Sequence, residues 1–141
     1  MSKLKYLLKE FILFLIGGGI YYLFEILWRG YSHWTMFILG GICFVIIGLL
    51  NEQYDYNMPL VEQMFSSMII ITTLEFISGV ILNIILKLNI WDYSNLPFNL
   101  FGQICIPFMI IWFFLSPIAI VVDDYIRYFI FKEEKPHYKI F

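Results

Sequence analysis

The sequence predicts an all-α integral membrane protein, a bundle of four transmembrane helices with a C-terminal interfacial helix. The first observation is composition, because 61% of the 141 residues are apolar and only 14% are charged. The second is the mean hydropathy of +0.80, which is far above the range of a soluble domain. The third is that the charged residues lie at the ends of the chain and between apolar blocks. Such a chain needs a lipid bilayer around it.

Four apolar blocks define the helices of a single transmembrane domain. At ~1.5 Å per residue, the first block just spans a hydrocarbon core of ~30 Å. The linkers between the blocks are short and polar, so consecutive helices are predicted to be antiparallel. The domain covers residues 1–141, with helices at about residues 11–28, 34–50, 61–88 and 103–122 and an interfacial tail at residues 123–141.

The region around the fourth helix has two special features. Pro107 and Pro117 are expected to kink this helix, because proline removes a backbone donor. The segment before it, residues 89–102, is rich in aromatic and amide side chains, which is typical of a loop at headgroup depth. Part of this loop could form a re-entrant turn.

The distribution of Lys and Arg predicts the orientation. Three cations precede the first helix and four follow the fourth, whereas the loops on the opposite side contribute only Arg29 and Lys87. The positive-inside rule therefore places both termini in the cytoplasm, with the chain multi-pass in an inner (plasma) membrane. The middle loop, residues 51–59, lies on the same side and carries no cation.

Glu75 is the main candidate for a functional side chain. It lies in the middle of an apolar stretch, where insertion of a charge costs ~3 kcal/mol or more. At 100° per residue, one face of the helix around Glu75 collects small and polar residues: Ser67, Thr72, Ser78, Gly79 and Asn83. This face is either a helix-packing surface on which Glu75 is hydrogen-bonded, or a pathway in which Glu75 binds a substrate or carries a proton.

A second group of candidates lies near the outer membrane face under this topology. Its charged, histidine and amide members are Glu25, Arg29, His33, Asp92 and Gln103, and Trp91, Tyr93 and Asn99 belong to the adjoining interface loop. Glu25 and Arg29 are four residues apart, in the favourable order for a helical ion pair. The group predicts an outer vestibule leading to Asn83 and Glu75, although interfacial anchoring would explain the aromatic residues and the ion pair equally well.

The sequence disfavours a metal site and a phosphate-binding loop. Cys43 and Cys105 have no Cys or His at ligand spacing and are expected to be packing residues, and His33 has no partner for a metal site. The triplet at residues 17–19 is expected to be a helix-packing groove and not a phosphate loop, because no Gly-Lys-Ser or Gly-Lys-Thr follows it. We expect no enzyme activity, no cofactor and no nucleic-acid partner.

Three sequence blocks carry a family resemblance: Arg29-Gly30-Tyr31-Ser32-His33-Trp34, Thr73-Leu74-Glu75-Phe76-Ile77-Ser78-Gly79 with Asn83, and Trp91-Asp92-Tyr93-Ser94 with Pro97, Asn99, Gly102, Ile104 and Cys105. Over about residues 29–112 the chain resembles the CmpB-like family of type IV ABC-transporter permeases. The resemblance implies a small bacterial four-helix membrane protein with a possible ATPase partner, and it carries over no catalytic residue.

These observations favour a permease or channel-like component for a small solute or ion, assembled as a homo-oligomer because four helices enclose little space. Two other functions stay open. The chain could be a non-transporting regulatory or assembly subunit whose polar residues bind a partner membrane protein or lipid. It could also be a holin-like pore-former, which its small size and basic tail would suit.

Overall fold

The computed structural model describes residues 2–54 and 57–141, and the side chains of residues 51–54 are not described. The predicted middle loop therefore lies partly outside the described residues. The structure is a bundle of α-helices, as predicted. The four helices are α1 (Lys3–Arg29), α2 (Trp34–Tyr54), α3 (Leu60–Gly79) and α4 (Ile106–Phe131), and α3 continues directly into a π-helix at Val80–Ile85.

Among the residues that the structure describes, three helical segments are long and apolar enough to cross a membrane. They are Lys3–Arg29, Leu60–Ile85 and Ile106–Phe131, and the apolar part of α2, Trp34–Leu50, is shorter. Large apolar side chains such as Trp28 and Phe114 point outward from this bundle and are more than 60% exposed. Outward-facing apolar side chains on long apolar helices are the arrangement of a membrane protein.

Glycines and aromatic rings hold α1 and α2 together in a reciprocal way. Gly17 and Gly18 of α1 lie against Phe44 and Phe37 of α2, while Gly40 and Gly41 of α2 lie against Tyr21 and Phe14 of α1. A side chain at any of these glycines would overlap the facing residue, so glycine allows the two backbones to approach. The predicted packing role of the Gly17–Gly19 triplet is seen at its first two members.

The loop after the π-helix is a short β-hairpin within a series of turns. Strands β1 (Asn99–Leu100) and β2 (Ile104–Cys105) are antiparallel, with Asn99 opposite Cys105. Gly102 has a positive φ of 72°, which glycine adopts without strain, at the turn between the strands. No helix forms at residues 86–98, so the loop consists of turns and the hairpin.

Helix α4 differs from the prediction at both ends. Pro107 lies in its first turn, where proline has no intrahelical donor to lose, so the expected kink at Pro107 is wrong. Pro117 does lie inside the helix. The helix also continues through residues 123–131, which were predicted to be a separate interfacial segment, because Asp123, Asp124 and Arg127 are buried in the bundle.

The C-terminal tail, residues 132–141, folds back across the bundle. The backbone N–H of Leu60 donates to the carbonyl of Lys139 at 2.6 Å, and that of Val61 donates to Ile140 at 3.1 Å. The tail thus supplies acceptors for the first N–H groups of α3, which have no partner inside the helix. Both chain termini therefore lie at the same end of the bundle.

Candidate functional site

The inward face of α3 is built from polar and small residues. Its buried residues are Gln63, Ser67, Thr72, Glu75 and Gly79, with no large apolar side chain among them. In the described part of the chain, the side-chain oxygens of Ser67 and Thr72 and Oε1 of Gln63 have no hydrogen-bond partner. At ~1.5 Å per residue this face, from Gln63 to Gly79, extends over roughly 24 Å, most of a ~30 Å hydrocarbon core. The predicted polar inward face of this helix is present.

Glu75 is buried and is held by two neutral donors. Its side chain is 5% exposed. The hydroxyl of Tyr93 donates to Oε2 at 2.9 Å, and the indole N–H of Trp112 donates to Oε1 at 3.3 Å. None of the ion pairs among the described residues includes Glu75. The carboxylate therefore has hydrogen bonds but no compensating cation.

Amide side chains fix the loop that carries Tyr93. Asn83 in the π-helix donates to Oε1 of Gln103 at 2.8 Å and accepts a hydrogen bond from the N–H of Ile90 at 2.7 Å. The indole N–H of Trp91 donates to the carbonyl of Gln103 at 3.0 Å. Because Trp91 and Gln103 are both buried, these bonds anchor the loop on the bundle and position Tyr93 above Glu75.

The predicted ion pair of α1 is formed and is connected to this loop. Arg29 donates from Nε to Glu25 at 2.6 Å and from Nη1 to the carbonyl of Ile90 at 3.0 Å. Tyr21 donates its hydroxyl to the other oxygen of Glu25 at 2.8 Å, and its ring lies 6.3 Å from that of Trp112. We call the set Tyr21, Glu25, Arg29, Glu75, Asn83, Trp91, Tyr93, Gln103 and Trp112 the loop-side cluster.

Three predicted site residues lie outside the loop-side cluster. His33 bonds to the hydroxyl of Thr35 at 2.7 Å, at the start of α2. Asp92 is exposed and accepts hydrogen bonds from Ser94 within the turn that follows it. Asn99 donates to the carbonyl of Leu96 at 2.9 Å and holds the hairpin. The predicted outer vestibule thus divides into a connected cluster and separate turn contacts.

An apolar cavity of about 190 Å³ adjoins Glu75. All four helices contribute to its wall, and Tyr21, Glu75 and Trp112 lie together in its lining. Ile20 and Phe24 of α1 and Leu115 and Ile118 of α4 also line it and are exposed on the protein surface. The cavity therefore opens between α1 and α4, on a face that the bilayer would cover.

A second buried polar group, which the sequence reasoning missed, lies at the end with the termini. Arg127 donates to both oxygens of Glu10 at 3.1 and 3.2 Å and to Asp123 at 2.9 Å. Lys9 pairs with Glu133 at 2.6 Å. We call these five residues the termini-side cluster. The signal that could have revealed part of it is the spacing of Asp123 and Arg127, which are four residues apart.

The cysteines have no disulfide, and no metal site is apparent in residues 2–54 and 57–141. Cys43 and Cys105 are both free. No group of three or more His, Cys, Asp and Glu side chains in these ranges could hold a metal ion. The chemical groups of the loop-side cluster are two carboxylates, one guanidinium, aromatic donors and amides.

Long apolar helices around a buried carboxylate and an apolar cavity define a polytopic membrane protein with an internal polar site. The family described as "Putative ABC-transporter type IV" matches residues 12–140. This protein belongs to that family, in agreement with the resemblance of its sequence blocks. No curated protein and no solved structure matches the chain.

Proposed function

We propose that this protein is the permease component of a transport system and that Glu75 binds a small solute or ion that is cationic or donates hydrogen bonds. The observation that carries the proposal is a buried carboxylate without a cation partner, beside a cavity and on the polar face of α3. Family membership supports a role related to ABC transporters.

The cost of this arrangement supports a functional role. A buried carboxylate without a compensating charge destabilises a bundle far more than an amide or hydroxyl group would. Helix packing alone would be served by neutral side chains, of which α3 already has several. A carboxylate is needed where a cation or proton has to be bound and released.

The topology that we propose has four crossings, with both termini in the cytoplasm of a bacterial cell. Helix α2 packs along α1 through Gly17, Gly18, Gly40 and Gly41, so it would cross the bilayer beside it. The end that carries the termini holds seven of the nine Lys and Arg residues, which supports a cytoplasmic location.

We further propose that several copies assemble and work with a separate ATPase subunit. One chain encloses a cavity of only about 190 Å³, so a wider pathway requires further copies. The sequence has no Gly-Lys-Ser or Gly-Lys-Thr phosphate loop, so energy from ATP would come from a partner. The protein itself would perform transport and no catalytic step.

A second candidate function is a partner-binding regulatory or assembly subunit. It is favoured by one observation: each oxygen of Glu75 already accepts a hydrogen bond from within the chain. In this case the loop-side cluster would stabilise a surface for a partner helix, and no solute would pass.

Flux in proteoliposomes separates the two functions. Purified protein would be reconstituted, and downhill flux of protons, Na⁺, K⁺ and methylammonium would be compared with that of protein-free vesicles. We expect flux of at least one of these ions in the wild type and a roughly tenfold loss in Glu75→Gln. Glu62→Gln is the matched control, because Glu62 is exposed on the first turn of the same helix. Flux above that of protein-free vesicles that is equal in Glu75→Gln and wild type would contradict the transport proposal.

A further inference from the structure

The wall of the cavity is almost entirely apolar. Its apolar members include Ile20, Phe24, Leu39, Phe44, Ile47 and Leu115. The polar side chains in the lining are few, namely Tyr21, Glu75, Trp112 and Ser116, together with the thiol of Cys43. Away from Glu75, walls of this kind take apolar molecules in preference to water. The body of any occupant must therefore be apolar.

The strong donors in this lining are already used. The hydroxyl of Tyr21 donates to Glu25, and the indole N–H of Trp112 donates to Glu75. The hydroxyl of Ser116 donates to the carbonyl of Phe113 at 2.8 Å. In contrast, an ionised carboxylate has about four acceptor positions, and Glu75 uses two of them. The polar end of an occupant must therefore donate hydrogen bonds to Glu75.

The negative charge of Glu75 determines which kind of hydrogen-bond donor would bind there most favourably. Glu75 has no ion pair with a described residue, so an ammonium group would supply the missing compensation. The rings of Tyr21 and Trp112, whose centroids are 6.3 Å apart, line the cavity together with Glu75 and contribute no opposing charge. A cationic head is therefore favoured over a neutral hydroxyl.

The volume of the cavity limits the size of the apolar part of a bound molecule. An apolar cavity of about 150 Å³ accommodates benzene. The present cavity, at about 190 Å³, accommodates one ring or a short alkyl chain together with its head group. A complete two-chain lipid is far too large.

The route into the cavity is lateral. The four lining residues Ile20, Phe24, Leu115 and Ile118 are exposed between α1 and α4, where the lipid tails would lie. At the loop side, the contact between Tyr21 and Trp112 links α1 to α4. At the opposite end, Arg127 and Glu10 join the same two helices. A molecule that partitions into the bilayer can therefore enter between these two points.

We propose that the cavity binds hydrophobic monoamines from the bilayer, with the apolar body between α1 and α4 and the ammonium group at Glu75. This proposal rests on the role of Glu75 in the proposed function and specifies the class of its substrate.

Isothermal titration calorimetry tests the proposal in nanodiscs of zwitterionic phosphatidylcholine, in which the lipid carries no net charge. The probes are 2-phenylethylamine, 2-phenylethanol and 3-phenylpropanoate, which share a ring and a short chain but differ in the head group. We expect the amine to bind, the alcohol to bind roughly tenfold more weakly, and the acid not to bind. Glu75→Gln should weaken the amine roughly tenfold and leave the alcohol unchanged. Glu62→Gln should leave both unchanged.

A second variant tests the place of binding without changing Glu75. Ala119 lines the cavity, so Ala119→Phe should fill it and abolish amine binding. Ile110→Phe adds a ring to an exposed position of the same helix outside the cavity and should have no effect. Equal affinity for amine and alcohol would overturn the proposal in favour of a simple apolar cavity, and unchanged binding in Ala119→Phe would overturn the location.

The amine-binding experiment and the ion-flux experiment can fail independently of each other. Ion flux that depends on Glu75 without amine binding would overturn only the inference about substrate class. Amine binding that depends on Glu75 and Ala119, together with ion flux that is equal in Glu75→Gln and wild type, would support this inference and contradict the transport proposal.

Discussion

The loop-side and termini-side clusters both bury charge inside an apolar bundle, but they compensate it differently. At the termini side, Arg127 contacts two carboxylates, those of Glu10 and Asp123, and is only 2% exposed. At the loop side, Glu75 is equally buried but receives hydrogen bonds only from the neutral donors Tyr93 and Trp112.

The difference indicates different roles. In a buried ion pair with several hydrogen bonds, the charges compensate each other within the protein, and the pair joins elements that are distant in sequence. A buried carboxylate with only neutral partners has no counter-ion within the protein, and a cationic ligand can supply one. The termini-side cluster is therefore expected to support stability, and the loop-side cluster to support binding.

The largest expected effect on stability is at the termini side. Arg127→Leu leaves the buried carboxylate of Asp123 and the half-buried carboxylate of Glu10 without the cation that they contact, which should lower the free energy of unfolding by about 3–5 kcal/mol. Unfolding by SDS in mixed micelles, followed by circular dichroism, would measure the loss.

The matched control for this variant is Arg29→Leu at the loop side. Arg29 is 22% exposed in its side chain and pairs with Glu25, so we expect a loss of only about 1 kcal/mol. Equal losses in the two variants would refute the assignment of the structural role to the termini-side cluster.

An intermediate effect is expected from the donors to Glu75. Tyr93→Phe removes the hydroxyl that donates to Oε2 at 2.9 Å, and loss of a hydrogen bond to a charged group costs about 1.5–3 kcal/mol. The same SDS unfolding assay would measure it. In a double-mutant cycle, the loss should shrink when Glu75→Gln is already present. An undiminished loss would show that Tyr93 acts through packing, for example against Phe108, whose ring it stacks on.

The smallest effect concerns Asp92, which belongs to neither cluster. The hydroxyl and backbone N–H of Ser94 donate to its carboxylate and hold its pKa below the ordinary value of 3.8. Because the pKa is lower in the folded state, ionised Asp92 stabilises the turn above its unfolded pKa, and this contribution is lost as the pH falls through the folded pKa. Ser94→Ala should raise the pKa of Asp92 toward 3.8, as measured by carbon NMR titration of the carboxyl group. The neighbouring Asn95→Ala should not, and an unchanged pKa in Ser94→Ala would contradict the assignment.

Features that depend on local sequence were predictable. Hydropathy along the chain located the helices, and the mid-block position of Glu75 indicated its burial. The four-residue spacing of Glu25 and Arg29 indicated their ion pair, which forms at 2.6 Å. Each of these properties depends only on neighbours in sequence or on helical phase.

Partners across the bundle were not predictable, because they depend on how each helix is rotated and where each loop folds. Tyr93 and Trp112 lie 18 and 37 positions from Glu75, and Glu10 lies 117 positions from Arg127. The same limit explains why residues 123–131 were not recognised as a continuation of α4, since Glu10, the partner of Arg127 on α1, could not be seen in the sequence.

The glycine and aromatic contacts between α1 and α2 have a consequence for biogenesis. Every member of this interface, from Phe14 to Phe44, belongs to the first third of the chain. Such local contacts form quickly and need nothing that is synthesised later. We therefore expect the first two helices to pair as a hairpin while the ribosome is still translating the remainder. The start of α3 must wait, because its backbone acceptors at Lys139 and Ile140 are translated only after α4.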